Sequence, residues 1–161
     1  MAVVTAYIAL GSNLESPQAQ VEHGFAALAL LPQTELIARS HLYRTPPWGV
    51  ADQPDFVNAA AALATEMDPH ALLAAMLAIE AAAGRVRGVR NGPRVLDLDL
   101  LAYDDLQLHD AELVVPHPRL HERAFVLLPL ADVAPAFVVP GRGRVAELLA
   151  AVDARGCMRL D

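Results

Sequence analysis

The chain has no lysine: all twelve of its basic residues are arginine. That absence excludes a phosphate-binding loop built on lysine and any mechanism that runs through a lysine Schiff base. Cysteine is almost as scarce. A lone Cys157 forms no internal disulfide and no cysteine-based zinc site. Aromatic residues make up 5% of the chain, and no apolar run is long enough to cross a membrane without charge. The first residues, Met1 to Ala6, lack the basic start and long apolar core of a secretory signal. Net charge is −7, which argues against general nucleic-acid or anionic-membrane binding. With 161 residues, the expectation is one soluble, cytoplasmic, globular domain spanning 1–161 with a single core.

What is present is concentrated. Asp97 and Asp99 stand two apart in the run Val95-Leu96-Asp97-Leu98-Asp99-Leu100-Leu101. Read as a strand, this run alternates its side chains between two faces. Both carboxylates then point one way, and Leu96, Leu98 and Leu100 the other. Two like charges side by side on a half-buried sheet repel each other and resist leaving water. A bound cation removes both objections, and Mg²⁺ commonly takes one or two protein carboxylates with water and phosphate completing its shell. Alone, the pair equally fits a strand end reaching solvent. The upstream residues shift the balance. Arg85, Arg87, Arg90 and Arg94 crowd a segment interspersed with Gly84, Gly88, Gly92 and Pro93. Planar guanidinium forks on a glycine-rich loop suit a phosphate clamp facing a metal site.

The remaining pattern supplies a frame. Residues 3–10 alternate as a strand, and Gly11-Ser12-Asn13 turns the chain. Ser16 is placed to cap a helix with Pro17 at its first position, and Val21, Phe25 and Leu28 give that helix one apolar face. Pro32 ends it. Residues 34–43 and 55–65 read as strands, separated by the irregular Thr45-Pro46-Pro47-Trp48-Gly49. Asp68-Pro69 opens a helix running to Gly84, with Leu73, Met76 and Leu77 as its apolar stripe and Glu80 continuing it. A carboxylate on a core face near a helix C-terminus needs a cationic or hydrogen-bonding partner, and the downstream arginines are the obvious candidates. Strand 95–103 follows, then short helices over 121–131 and 144–152. The order β-α-β-β-α-β with a helical tail predicts an α+β, ferredoxin-like antiparallel sheet with helices packed on one face and a C-terminal helical extension.

Five segments, in order, resemble the 6-hydroxymethyl-7,8-dihydropterin pyrophosphokinases of folate biosynthesis. They are Ala6 to Leu14, Tyr43 to Gly49, Gln53 to Ala59, Gly92 to Asp99, and Val115 to Arg119 with Arg123-Ala124-Phe125. The resemblance implies the same ferredoxin-like fold and a kinase reaction. The β,γ-pyrophosphoryl group of ATP moves to the primary hydroxyl of the pterin, giving AMP and the pterin pyrophosphate. It implies ATP as co-substrate and two Mg²⁺ ions on Asp97 and Asp99, with Asp97 also touching the pterin hydroxyl. Arg85 and Arg94 match the arginines at the transferring phosphates, and Arg87 and Arg90 those of a loop that closes over the nucleotide. His117, Arg123 and Leu100 match nucleotide contacts. Thr45, Pro46, Pro47, Trp48, Phe56, Asn58 and Phe125 match the pterin pocket, with the two phenylalanines stacking on the ring and Asn58 reading its edge. By the same comparison the chain is a monomer whose partners are its two substrates, without nucleic acid or membrane.

Asn91, Pro118 and Val114 depart from some members, where an aromatic, an aromatic and a hydroxyl residue stand. The arginine loop is also one residue shorter than in the enterobacterial type. Residues 44–54 and 84–94 are expected to close over the substrates in turn. Two other readings of the carboxylate strand differ in outcome. A nucleotidyl- or glycosyltransferase would release a different product, and a ferredoxin-like ligand-binding module would have no chemistry at all.

Overall fold

The computed structural model describes residues 2–14, 16–47, 52–84 and 95–160. The elements are β1 (Val4–Ser12), α1 (Pro17–Ala29), β2 (Thr34–Arg39), β3 (Tyr43–Thr45), β4 (Phe56–Thr65), α2 (Pro69–Ala82) and β5 (Asp97–Tyr103). The C-terminal part adds the hairpin β6 (Leu108–His109) and β7 (Val114–Val115), a 3₁₀ turn at Leu120–Glu122, and α3 (Ala124–Val133). A second hairpin, β8 (Val138–Val139) and β9 (Gly143–Arg144), leads into α4 (Val145–Ala150) and β10 (Met158–Arg159). The main sheet runs β10-β3-β4-β1-β5, with β2 also on β4, and every pairing in it is antiparallel. This is the expected βαββαβ arrangement, with β4 and β1 at its centre.

Period-two alternation divides the sheet's side chains into two cores. On one face Ile8, Leu10, Leu63, Leu96, Leu98 and Leu100 meet Phe25 and Leu28 of α1 and Leu72 and Met76 of α2. Each such fully buried side chain contributes about 1.5–3 kcal/mol relative to exposure. Small residues set the depth of packing. A Cβ on Gly24 would stand 2.9 Å from Leu10 Cδ2, so glycine there lets α1 lie close on β1 without displacing that side chain. On the opposite face Leu101 joins Leu120, Val126, Leu127, Leu130, Val139 and Val145. Helices therefore cover both faces, not the single face expected from the sequence. The tail helix α3 is apolar nearly all round and docks on β4 from the other side.

Four further expectations change. The strand read over 34–43 is broken in two at Ser40, whose N–H donates to the Ala60 carbonyl while its Oγ accepts the Ala60 N–H. The serine hydroxyl thus does the work of a backbone carbonyl and interrupts the ladder. Ser16 does not cap α1: its side chain makes no capping bond and its backbone is left-handed, φ 62°. The α2 stripe is Leu72, Met76 and Glu80 rather than Leu73, Met76 and Leu77, and Leu77 is 53% exposed. The helix expected over 121–131 is a 3₁₀ turn followed by α3. Asp68 does cap α2 as expected, its carboxylate accepting the Ala71 N–H at 2.8 Å.

Candidate active site

One row across the sheet joins Tyr43, Asn58, Gly11 and Asp97, each paired with the next. The adjacent row on the same face joins Ala60, Ala9 and Asp99. Directly paired residues share a face, so Asp97 and Asp99 lie on the side of Asn58 and of Thr45 and Phe56, themselves a pair. The carboxylates do point one way, as the alternation predicts, and Leu96, Leu98 and Leu100 are buried on the other face. A bulge between β1 and β5 lies just beyond them: Tyr7 pairs with Ala102 and Ile8 with Leu100. It leaves Leu101 on the carboxylate side, in the second core.

The polar end of this row is fixed by Asn58. Its Nδ2 donates to Thr45 Oγ1 at 2.7 Å, and both residues are buried. Its Oδ1 lies over Gly11, where a Cβ would approach to 2.7 Å. The amide is therefore oriented: the donor is satisfied by the protein and the acceptor leans across the glycine toward β5. From Asn58 to Asp97 is two interstrand spacings, about 10 Å. Position 11 leaves that gap open, because only glycine fits beneath the amide.

The wall above is built by the C-terminal part. Phe125 is half-buried in the first turn of α3, and the Arg123 guanidinium carbon lies 5.5 Å from its ring centre. Burial pulls the Arg123 pKa below its ordinary value, while the charges of Asp99 and then Asp97 act in the opposite sense. Arg123 thus lies within electrostatic reach of the aspartate pair. His117 is tied in beside the strand: its N–H donates to the Leu101 carbonyl at 2.8 Å. Its Nδ1 accepts the Arg119 N–H at 3.1 Å, which puts the ring proton of the neutral form on Nε2. Burial, reinforced by Arg123 and Arg119, pushes its pKa down to about 4. At neutral pH it is an uncharged donor.

Of the residues named from the sequence, the structure brings Asp97, Asp99, Asn58, Thr45, Phe56, Phe125, His117 and Arg123 to one side of the sheet. Pro46 and Pro47 follow β3 directly, and Pro46 lies against Gly156. Leu100 is placed differently: its side chain is in the core with α1 and α2, so only its backbone is available to a nucleotide. Trp48, Arg85, Arg87, Arg90 and Arg94 lie outside the described residues, as does Asn91. Two connections had escaped the sequence reading. Asn13 donates from Nδ2 to Gln53 Oε1 and to the Pro54 carbonyl, tying the end of β1 to the approach to Phe56. Asp132, seven residues after Phe125 on α3, accepts the Tyr43 hydroxyl at 2.8 Å and the His41 N–H at 3.2 Å. An acid in so apolar a helix was the available signal.

The donor set fits a hard divalent ion that is only partly held by protein. Among the described residues no group of three or more His, Cys, Asp or Glu converges on one point. Two carboxylates with cationic neighbours suit an ion completed by phosphate and water.

The sequence profile of 7,8-dihydro-6-hydroxymethylpterin-pyrophosphokinase matches residues 7–135. The chain is 50% identical over 156 residues to 2-amino-4-hydroxy-6-hydroxymethyldihydropteridine pyrophosphokinase of Methylorubrum extorquens, covering 97% of this chain and 98% of that protein. It is 49% identical over 154 residues to the protein of the same name from Pseudomonas aeruginosa, covering 96% and 95%. Among solved structures, an HPPK-DHPS protein in complex with substrates superposes with a TM-score of 0.78 at 12% identity, over 99% of this chain and 47% of that one. Plasmodium falciparum HPPK-DHPS gives 0.74 at 14% identity, over 92% and 43%. This chain spans less than half the length of those solved chains, and at such identities they speak for the fold alone. The profile and the relatives of equal length speak for more: the chain belongs to the 7,8-dihydro-6-hydroxymethylpterin-pyrophosphokinase family.

Proposed function

We propose that this chain performs its family's pyrophosphoryl transfer, from ATP to 6-hydroxymethyl-7,8-dihydropterin, across the row that joins Asn58, Gly11 and Asp97. The observation that carries this reading is the shared face: an oriented amide acceptor at one end and two carboxylates at the other, with glycine between them. Asn58 reads the edge of the pterin, while Phe56 and Phe125 flank the ring and Thr45 holds the amide in place. The hydroxymethyl group then points along the row toward Asp97. Its oxygen forms a bond to the β-phosphorus as the bond to the bridging oxygen breaks and AMP departs, and its proton leaves toward the Asp97 carboxylate.

Asp97 and Asp99 would hold two Mg²⁺ ions, which supply neutralisation of the triphosphate and alignment of attacker and target when bound. Arg123 places a fixed positive charge beside the aspartates, where charge builds on the transferring group. His117, neutral with its proton on Nε2, donates a hydrogen bond to the nucleotide without adding charge. Arg85 and Arg94 contribute further guanidinium forks at the phosphates, Arg87 and Arg90 close over the nucleotide, and Trp48, Pro46 and Pro47 complete the pterin side. The domain acts as a cytoplasmic monomer on its two substrates. Among the described residues no helix is long and apolar enough to cross a membrane.

Asp97→Ala tests the assignment. Turnover falls by more than about a hundredfold, as loss of several kcal/mol of transition-state electrostatics requires. Mg-ATP binding weakens, and the circular dichroism spectrum is unchanged. Retention of a tenth of the wild-type rate would remove Asp97 from the site.

A further inference from the structure

Glu80 sits in the last turns of α2, is 1% exposed, and shares its helix face with Leu72 and Met76. A carboxylate in that position is costly unless it is bonded. Its Oε2 accepts the Leu98 N–H at 2.6 Å, a short charge-assisted bond. The identity of that amide is informative. Leu98 is the residue between Asp97 and Asp99, and among the described residues β5 lies at the end of the sheet order, paired with β1. Antiparallel pairing alternates bonded and non-bonded pairs, so the flanking Asp97 and Asp99 turn toward Gly11 and Ala9 while Leu98 presents its N–H outward. Glu80 meets it there. A helix carboxylate bonds there as a neighbouring strand would, at the one residue that separates the two aspartates.

We infer that Glu80 is a positioning residue for the carboxylate pair: it pins the Asp97–Leu98 peptide from the outer edge and so sets the direction of both carboxylates. It acts from the opposite side of the sheet, without touching substrate or metal. A misplacement of about 1 Å at a reacting group can cost a hundredfold in rate. Outer groups that orient metal-binding side chains typically change metal affinity by about 10–100-fold when altered. The inference rests on the proposed metal role of Asp97 and Asp99.

Two substitutions separate reach from charge. Glu80→Gln keeps the length and an acceptor oxygen but removes the charge. Glu80→Asp keeps the charge but withdraws it by one methylene. Leu98 amide exchange is read by NMR, and Mn²⁺ affinity by electron paramagnetic resonance with a non-hydrolysable ATP analogue present. We expect E80Q to keep the Leu98 amide protected and the Mn²⁺ dissociation constant within about threefold of wild type. E80D exposes the amide and raises that constant about tenfold, while pterin affinity stays within about twofold. Mn²⁺ binding by E80D as tight as wild type, or an E80Q variant weakened as much as E80D, would overturn the inference. In parallel, Asp97→Ala should lose Mn²⁺ binding. If it does not, the metal reading itself fails, and this inference fails with it.

Discussion

Asn58 is held from both sides, and each side makes a prediction. Thr45 takes its donor, and Gly11 leaves room for its acceptor. Gly11→Ala puts a methyl group 2.7 Å from Oδ1, so the amide must swing away. Loss of one hydrogen bond to the ring edge, about 1–1.5 kcal/mol, corresponds to about a tenfold rise in KM for the pterin with KM for ATP unchanged. Steady-state kinetics with each substrate varied in turn checks it. His117 carries a pH signature. Its pKa falls from 6.5 in the unfolded chain to about 4 in the folded one, so between these values the unfolded state binds the extra proton. Its contribution to stability is complete above pH 6.5, declines as pH falls toward 4, and is gone below that. Urea unfolding of wild type and His117→Gln from pH 7 to 4 should show the wild type losing stability relative to the variant across that window. At this scale the sequence was informative where chemistry is local: the aspartate spacing alone placed both carboxylates on one face. The role of Gly11 was hidden, because what forbids a Cβ there is a side chain 47 positions away in sequence, on β4.

Among the elements, α3 and β3 carry Phe125 and Thr45, the two sides of the proposed pterin pocket, and the Tyr43 hydroxyl bonded to Asp132 joins them. Tyr43→Phe should lower unfolding free energy by about 1 kcal/mol, since it removes one largely buried bond and leaves the His41 N–H to Asp132. Denaturant midpoints measure that loss. The same substitution should raise KM for the pterin more than KM for ATP, because Phe125 rides on the helix that is released. Strand and helix identities and the buried face of α1 followed from periodicity, whereas strand breaks and the buried faces of α2 and α3 did not. The alternation over 34–43 continues through Ser40, and nothing local says that its hydroxyl will take the Ala60 N–H. Likewise α3 is so evenly apolar that its sequence names no face, and only the second core built by Leu101, Leu120 and Val145 assigns it to the far side of the sheet. Glu80 was legible as a buried acid in need of a partner. Among the described residues its partner is the Leu98 backbone amide, which composition could not show, while the downstream arginines that the sequence suggested lie outside them.

At the scale of the whole molecule, a six-stranded antiparallel sheet separates two tasks. The face under α1 and α2 is packed with Leu, Ile, Phe and Met and holds the fold together. The other face gathers the polar residues of β3, β4 and β5 beside Gly11 of β1: Thr45, Asn58, Asp97 and Asp99. The arginine cluster of residues 85–94 was readable in sequence, and it lies outside the described residues. Arg123 and His117 were reached only through the family resemblance, since no local pattern shows that the His117 N–H will bond the Leu101 carbonyl and bring them beside the aspartate strand. The account as a whole stands on one reaction. The purified chain is mixed with Mg-ATP and 6-hydroxymethyl-7,8-dihydropterin, and nucleotide and pterin products are followed together for wild type and Asp97→Ala. The account predicts AMP and pterin pyrophosphate in equal amounts from the wild type and neither from the variant. Formation of ADP or release of free pyrophosphate in place of AMP and the pterin pyrophosphate, or equal activity in the variant, would contradict it.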